Sequence, residues 1–293
     1  MNLIFIHGRA QEGKNPEVLR NLWINTFKIG LEKSNLLLPI QECKIFFPFY
    51  GDKLDALVNS INQPIEEIVK KGSELNNKDA KFFHDFLLEV SENANITTSE
   101  IEEENSAEIV EKGPLNWGWV QSILRAIDKK SKWSELSIKR FTYDVFLYLT
   151  NANIKNEIND AVLKDIDTSE PCIVVGHSLG SIVGYNILRD SNNLHVCKYI
   201  TVGSPLGLNS VKKYLKTPIK MPDCLKKGWF NAYDDRDVVA LNPLNQNYFN
   251  IQPQIENKND INNQTTNRHG IEGYLNDKIV AEEIYKALTT DCT

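Results

Sequence analysis

A serine set between glycines, in Gly176-His177-Ser178-Leu179-Gly180, directly follows the short apolar run Cys172 to Val175. That pairing suits nucleophilic chemistry. A serine on a tight strand-to-helix turn projects its hydroxyl above a sheet and aims the next backbone N–H at a substrate. Side chains at the flanking positions would strike the neighbouring strand and helix, which glycine avoids. Ser181 and Gly184 keep the predicted following helix slim.

A serine hydroxyl is a poor nucleophile near neutral pH, so it needs a base, and the base needs an orienting carboxylate. For a serine placed this way the chain order is serine, acid, histidine. Of the five histidines, His7 and His177 occupy their own turns, His84 precedes the serine, and His195 comes before any good acid candidate. His269, in Arg268-His269-Gly270, remains as the base. The acid is expected just past a late strand, and Trp229 to Tyr233 reads as that strand, followed by Asp234, Asp235 and Asp237. Asp237 is preferred because the apolar Val238-Val239-Ala240 can pin its backbone beneath the histidine loop. Asp234 and Asp235 stay open as alternatives that also read as ordinary turn residues.

A tetrahedral intermediate needs two N–H donors aimed at its oxyanion. Leu179, next after the serine, supplies one by position. His7-Gly8-Arg9 ends the first strand, and the backbone of Arg9 is the simplest second donor. The Arg9 guanidinium has two readings, contact with an anionic substrate group or a salt bridge within a lid.

The elements that must hold these residues follow from hydrophobic pattern. Leu3 to Ile6 is continuously apolar, as a strand buried on both sheet faces should be. Asn15-Pro16-Glu17 starts a helix with Val18, Leu22 and Phe27 on one face, and Cys43 to Phe49 is the next strand, ending at Tyr50-Gly51. Strand, helix, strand in that order is a βαβ unit. From about 52 to 140 the pattern changes to helices joined by polar stretches, which predicts a helical insertion or lid. Its acidic run (Glu100, Glu102, Glu103, Glu104, Glu108, Glu111) reads as a mobile solvated segment.

After residue 140 the alternation resumes. Ile154, Ile158, Ala161 and Val162 mark a helix, Cys172 to Val175 a strand, Ser181 to Leu188 a helix and Val196 to Val202 a strand. Asn and Gln dominate from Asn245 to Asn267, predicting a surface loop with a short strand near Phe249, and Asp277 to Leu288 closes the chain as an amphipathic helix. The expected class is therefore α/β, a mostly parallel central sheet with helices on both faces.

Bulk properties bound the function. The chain has 293 residues, 41% of them hydrophobic, enough for one domain with a substantial core. A formal net charge of −6 argues against a nucleic-acid partner, and Lys129, Lys130 and Lys132 read as solvated helix faces. The first residues lack a secretory pattern, and no apolar run reaches the roughly 18 to 20 residues that span a bilayer. A cytoplasmic protein that touches membranes only from their surface is expected. Five cysteines (Cys43, Cys172, Cys197, Cys224, Cys292) are widely spaced without a CxxC pair, so all are expected reduced, with no disulfide, zinc site or cofactor.

Together the His-Gly turn, the Gly-His-Ser-Leu-Gly elbow and the late Asp and His resemble the lipase and esterase branch of the α/β-hydrolases, over nearly the whole chain outside 52 to 140. Three further stretches are similar to the intracellular phospholipases of the DDHD type: Asp144-Val145-Phe146-Leu147-Tyr148-Leu149, Gly203-Ser204-Pro205-Leu206-Gly207, and Phe230-Asn231 with Asp237-Val238-Val239-Ala240-Leu241-Asn242-Pro243-Leu244. Asn242 stands where that group usually has an acidic residue, and Val238 replaces its proline. The resemblance implies an α/β-hydrolase fold with Ser178 as nucleophile, Asp237 as acid and His269 as base, cleaving carboxylic esters of small-molecule or lipid-like substrates. A thioesterase, amidase or acyltransferase would use the same triad, and a catalytically idle binding module would keep the same fold. Trp117, Trp119 and Trp133 in the insertion read either as packing or as the wall of an acyl pocket.

Overall fold

The computed structural model describes residues 1–39, 43–61, 77–104, 112–114, 116–167, 169–191 and 194–292. Six strands, β1 (Asn2–Ile6), β2 (Lys44–Phe46), β3 (Cys172–His177), β4 (Val196–Val202), β5 (Trp229–Ala232) and β6 (Glu256–Lys258), form one sheet. The order is β2-β1-β3-β4-β5-β6, and every adjacent pair is parallel.

Strand periodicity divides the core. Leu3, Phe5, Ile173 and Val175 face one layer, while Ile4, Ile6, Cys172 and Val174 face the other. The first layer is built by α1 (Pro16–Glu32) and, at the chain's end, α11 (Lys278–Thr289). On the opposite face lie α2 (Gly51–Ser60), α3 (Asn77–Asn93), α4 (Thr98–Glu103), α5 (Trp117–Lys130), α6 (Glu135–Thr150), α7 (Ala152–Lys164), α8 (Leu179–Asp190) and the short α9 (Asn209–Lys212). A final short helix, α10 (Glu272–Leu275), precedes α11.

Helix α1 begins where expected, with Asn15 Oδ1 accepting the N–H groups of Glu17 and Val18 at 2.9 and 3.1 Å ahead of Pro16. Its buried face differs from the expected one. Leu19, Trp23, Phe27 and Leu31 are buried, whereas Val18 and Leu22 are 67% and 39% exposed. Leu22 and Phe27 are five residues apart, which breaks a helical stripe, while steps of four keep Leu19 to Leu31 on one face.

The stretch from 52 to 140 is helical where described, but its end is not a boundary, because α6 runs through residue 140 to Thr150. Phe82, Phe83 and Phe86 of α3 join the same core as Ile4 and Ile6 of β1, so this region shares the sheet's core. Glu108 and Glu111 lie outside the described residues. Of the rest of the acidic run, Glu102 and Glu103 are exposed, α4 carries a Thr97–Glu100 capping box, and Glu104 pairs with Lys129 at 2.8 Å while Glu100 pairs with Lys130. Lys129 and Lys130 are exposed, as expected of a solvated helix face, and meet these carboxylates at the surface.

Two further expectations are corrected. The short late strand is Glu256–Lys258, while Phe249 is buried against Tyr185 and Trp229, with both centroid separations at 5.6 Å. Cys197 and Cys292 are disulfide-bonded to each other, and Cys172 and Cys224 are buried outside that bond. The two partners are 95 positions apart, and the packing of α11 against α1, β3 and β4 accompanies a Cα separation of 5.3 Å. Among the described residues, no helix is long and apolar enough to cross a membrane.

Candidate active site

The chain passes from β1 outward to β2, then returns to lay β3 on the other side of β1. That reversal opens a crevice at the carboxyl ends of β1 and β3, the usual ligand position in an open α/β sheet. His7-Gly8-Arg9 leaves β1 there, and Ser178 leaves β3 there.

Ser178 has φ +56 and ψ −128, a left-handed backbone that a non-glycine residue adopts at a cost of about 1–3 kcal/mol. Its neighbours make room for this conformation. A Cβ on Gly180 would overlap the carbonyls of Ile6 and His7, and one on Gly8 would stand 2.8 Å from Ser178 Cβ. The turn is tied down by the Ser178 N–H bonding Val202 O at 3.3 Å and by Ser181 Oγ donating to Ser178 O at 2.6 Å.

The expected residues converge here. Nε2 of His269 is 2.7 Å from Ser178 Oγ, and its Nδ1 is 2.6 Å from Oδ2 of Asp237. A carboxylate oxygen accepts, so Nδ1 carries the proton and Nε2 is free to take the one from serine. All three side chains are buried, Ser178 to 2% exposure. The two alternative acids point elsewhere. Asp234 accepts from Arg236 Nε at 3.0 Å and from the Asn263 N–H at 2.7 Å, and Asp235 is exposed.

Two other imidazoles crowd the turn, and burial keeps them neutral. His7 is pushed down to about 4 by desolvation; Nδ1 donates to Gly8 O at 2.6 Å, and Nε2 accepts the Tyr50 N–H at 3.1 Å. His177 is held well below the usual imidazole range by burial and then by the proximity of His269. His84, on α3, and His195, before β4, do not line the cavity that contains Ser178.

Leu179 follows Ser178 directly, and Arg9 lines the same cavity as the serine. Among the described residues, neither backbone N–H is seen to donate to a protein acceptor. The Arg9 guanidinium is engaged: it forms an ion pair with Asp144 of α6. Burial pushes the Asp144 carboxyl up, and Arg9 opposes that push.

A cavity of about 290 Å³ opens on Ser178 and His269, walled by Leu19, Leu22 and Trp23 of α1 and by Trp133 and Phe141. The Trp133 and Phe141 rings lie 5.3 and 5.8 Å from the His269 ring. Trp119 packs inside the helical layer instead, and Trp117 receives Lys139 over its ring at 5.3 Å. A second cavity of about 490 Å³ shares Arg9 and Ala10 with the first and is also lined by α2 and α6.

Two contacts of the site are invisible to motif reading. Tyr274 donates to Asp237 Oδ2 at 2.6 Å, and His177 Nε2 donates to the His269 carbonyl at 2.8 Å. A lone tyrosine in a four-residue helix carries no pattern, and Gly203 packs against its ring, where a Cβ would stand 2.9 Å from it. Among the described residues, no group of three His, Cys, Asp or Glu side chains is arranged to hold a metal ion. Chemically, a buried hydroxyl, imidazole and carboxylate in series can move a proton off the serine as it attacks. No protein-family model, curated protein or solved structure matches this chain.

Proposed function

We propose that the protein is a serine hydrolase of α/β-hydrolase fold that cleaves carboxylic esters, with lipid-like esters as its substrate class. The observation that carries this reading is the unbroken relay from Ser178 Oγ through His269 to Asp237, at 2.7 and 2.6 Å. The strand order, with its reversal between β1 and β3, supports the fold assignment, since the serine follows the strand beside that reversal.

Ser178 Oγ attacks the ester carbonyl while its proton passes to Nε2 of His269. The carbonyl π pair moves onto oxygen, and the N–H groups of Leu179 and Arg9 receive that oxyanion. Collapse breaks the bond to the alcohol, which leaves with the proton returned by His269, and Ser178 is left acylated. Water then repeats the sequence: His269 takes its proton, the acid is released and Ser178 Oγ is reprotonated. Asp237 keeps its charge throughout and stabilises the imidazolium. An apolar wall of Leu19, Leu22, Trp23, Trp133 and Phe141 beside the nucleophile supports an acyl chain as the group bound there.

The test is labelling with a fluorophosphonate probe, followed by hydrolysis of p-nitrophenyl esters of increasing chain length by wild type and Ser178→Ala. Labelling and turnover that both vanish in Ser178→Ala are expected. A wild type that neither labels nor cleaves any ester of the series removes the proposal.

A further inference from the structure

We infer that Tyr274 is a positioning residue for the triad, its hydroxyl fixing which oxygen of Asp237 serves His269; this deepens the serine-hydrolase reading and rests on it. Tyr274 Oη and His269 Nδ1 both reach Oδ2 of Asp237, each at 2.6 Å. The other oxygen, Oδ1, is approached by the Val239 N–H at 3.4 Å. A carboxylate has two equivalent oxygens and a soft terminal torsion, so one bond from histidine leaves it free to rock. Two charge-assisted donors on a single oxygen remove that freedom and hold the imidazole plane with it.

The tyrosine is itself immobilised. It is fully buried, and a Cβ on Gly203 would stand 2.9 Å from its ring, so the Gly203-to-Gly207 turn seats it. The titratable groups around it are Asp237, Asp234 and His177, whose ring is 6.0 Å away, with His269 beyond Asp237. Burial first, and the Asp237 charge next, push the phenol well above its usual range. It therefore keeps its proton and acts only as a donor. Because that donor already shares the negative charge of Oδ2, the carboxylate pulls less strongly on the imidazolium than an unshared one would. Tyr274 thus lowers the pH at which the relay becomes competent, as well as fixing its geometry.

Tyr274→Phe in the whole protein isolates the hydroxyl while keeping the ring against Gly203. Its pH profile of kcat/KM, the kcat and KM values separately, and its thermal unfolding are compared with wild type on the ester that wild type cleaves best. Expected are a fall in kcat of about tenfold, as for loss of a hydrogen bond to a charged group, and an unchanged KM. The acidic limb should also move up by roughly one pH unit. An unchanged kcat and limb overturn the role of Tyr274, as does a loss of activity with the limb unmoved, which is the mark of a structural effect alone. If wild type fails to label with fluorophosphonate, the hydrolase reading falls and this inference with it. Wild type that labels beside an indistinguishable Tyr274→Phe sinks only the inference.

Discussion

His177, the residue immediately before Ser178, donates its Nε2–H to the backbone carbonyl of His269 at 2.8 Å. The bond joins the end of β3 to a loop 92 positions further along the chain. It holds the base from behind while Asp237 holds it from the side, so the distance from Nε2 to Ser178 Oγ is set by two separate anchors. It also explains why a second imidazole can stand 5.0 Å from the base without competing for the proton. Burial, and next the proximity of His269, hold His177 well below the usual imidazole range.

Hydrogen bonding, rather than proximity in sequence, singles out Asp237 as the proposed acid. Asp237→Asn should reduce kcat by about 10⁴, because the amide favours the wrong imidazole tautomer. Asp234→Asn should spare the chemistry and cost stability, since that carboxylate anchors Arg236 and the Asn263 backbone. Steady-state kinetics beside urea unfolding separate the two. Comparable mild kinetic losses in both variants would remove Asp237 from the relay.

Gly8 tests the oxyanion turn. A methyl at this position would stand 2.8 Å from Ser178 Cβ and 3.3 Å from its Oγ, so the His7-Gly8-Arg9 turn must recede. Moving the Arg9 N–H away from the developing oxyanion should lower kcat about 100-fold. Circular dichroism should remain that of the native protein. Near wild-type turnover in Gly8→Ala would assign the second donor to another group.

Legibility in the sequence followed how local the signal was. Ser178 was readable because its glycines and preceding strand are adjacent, and His269 because chain order eliminated its rivals. Asp237 needed the structure to separate it from Asp234, since only three-dimensional partners distinguish two aspartates three residues apart. The Tyr274–Asp237 contact, the Cys197–Cys292 bond and the Arg9–Asp144 pair are illegible, because each joins residues 37 to 135 positions apart and no pattern pairs them. The face of α1 was misread for a different reason. Val18 and Leu22 suggested an apolar stripe, whereas burial follows Leu19, Trp23, Phe27 and Leu31, and Leu22 serves the cavity wall.

Trp133 forms part of the wall of the cavity over His269. Its indole is buried 5.3 Å from the His269 ring and, among the described residues, its Nε1 has no hydrogen-bond partner. Trp133→Ala should extend the space beyond about 290 Å³ and shift the preferred ester from shorter to longer acyl chains. A series of p-nitrophenyl esters from acetate to laurate gives the profile. If the preferred length is unchanged while the protein remains folded, the acyl chain runs elsewhere, and the 490 Å³ cavity beyond Arg9 becomes its place.

The buried imidazoles make stability depend on pH in a definite direction. His7 has its pKa lowered from 6.5 to about 4 by burial, so between those values the unfolded chain binds a proton that the folded protein refuses. Stability from this group is complete above about pH 6.5 and is lost as the pH falls towards 4. By linkage the loss from His7 is about 2 kcal/mol at pH 5, and His177 adds in the same direction. Urea unfolding at pH 7.5 and at pH 5 should therefore show a lower midpoint in acid. His7→Gln, although less stable at both because it loses the Tyr50 contact, should show a shallower dependence. Equal slopes in the two proteins would mean that carboxylates elsewhere, and not this imidazole, govern the acid sensitivity.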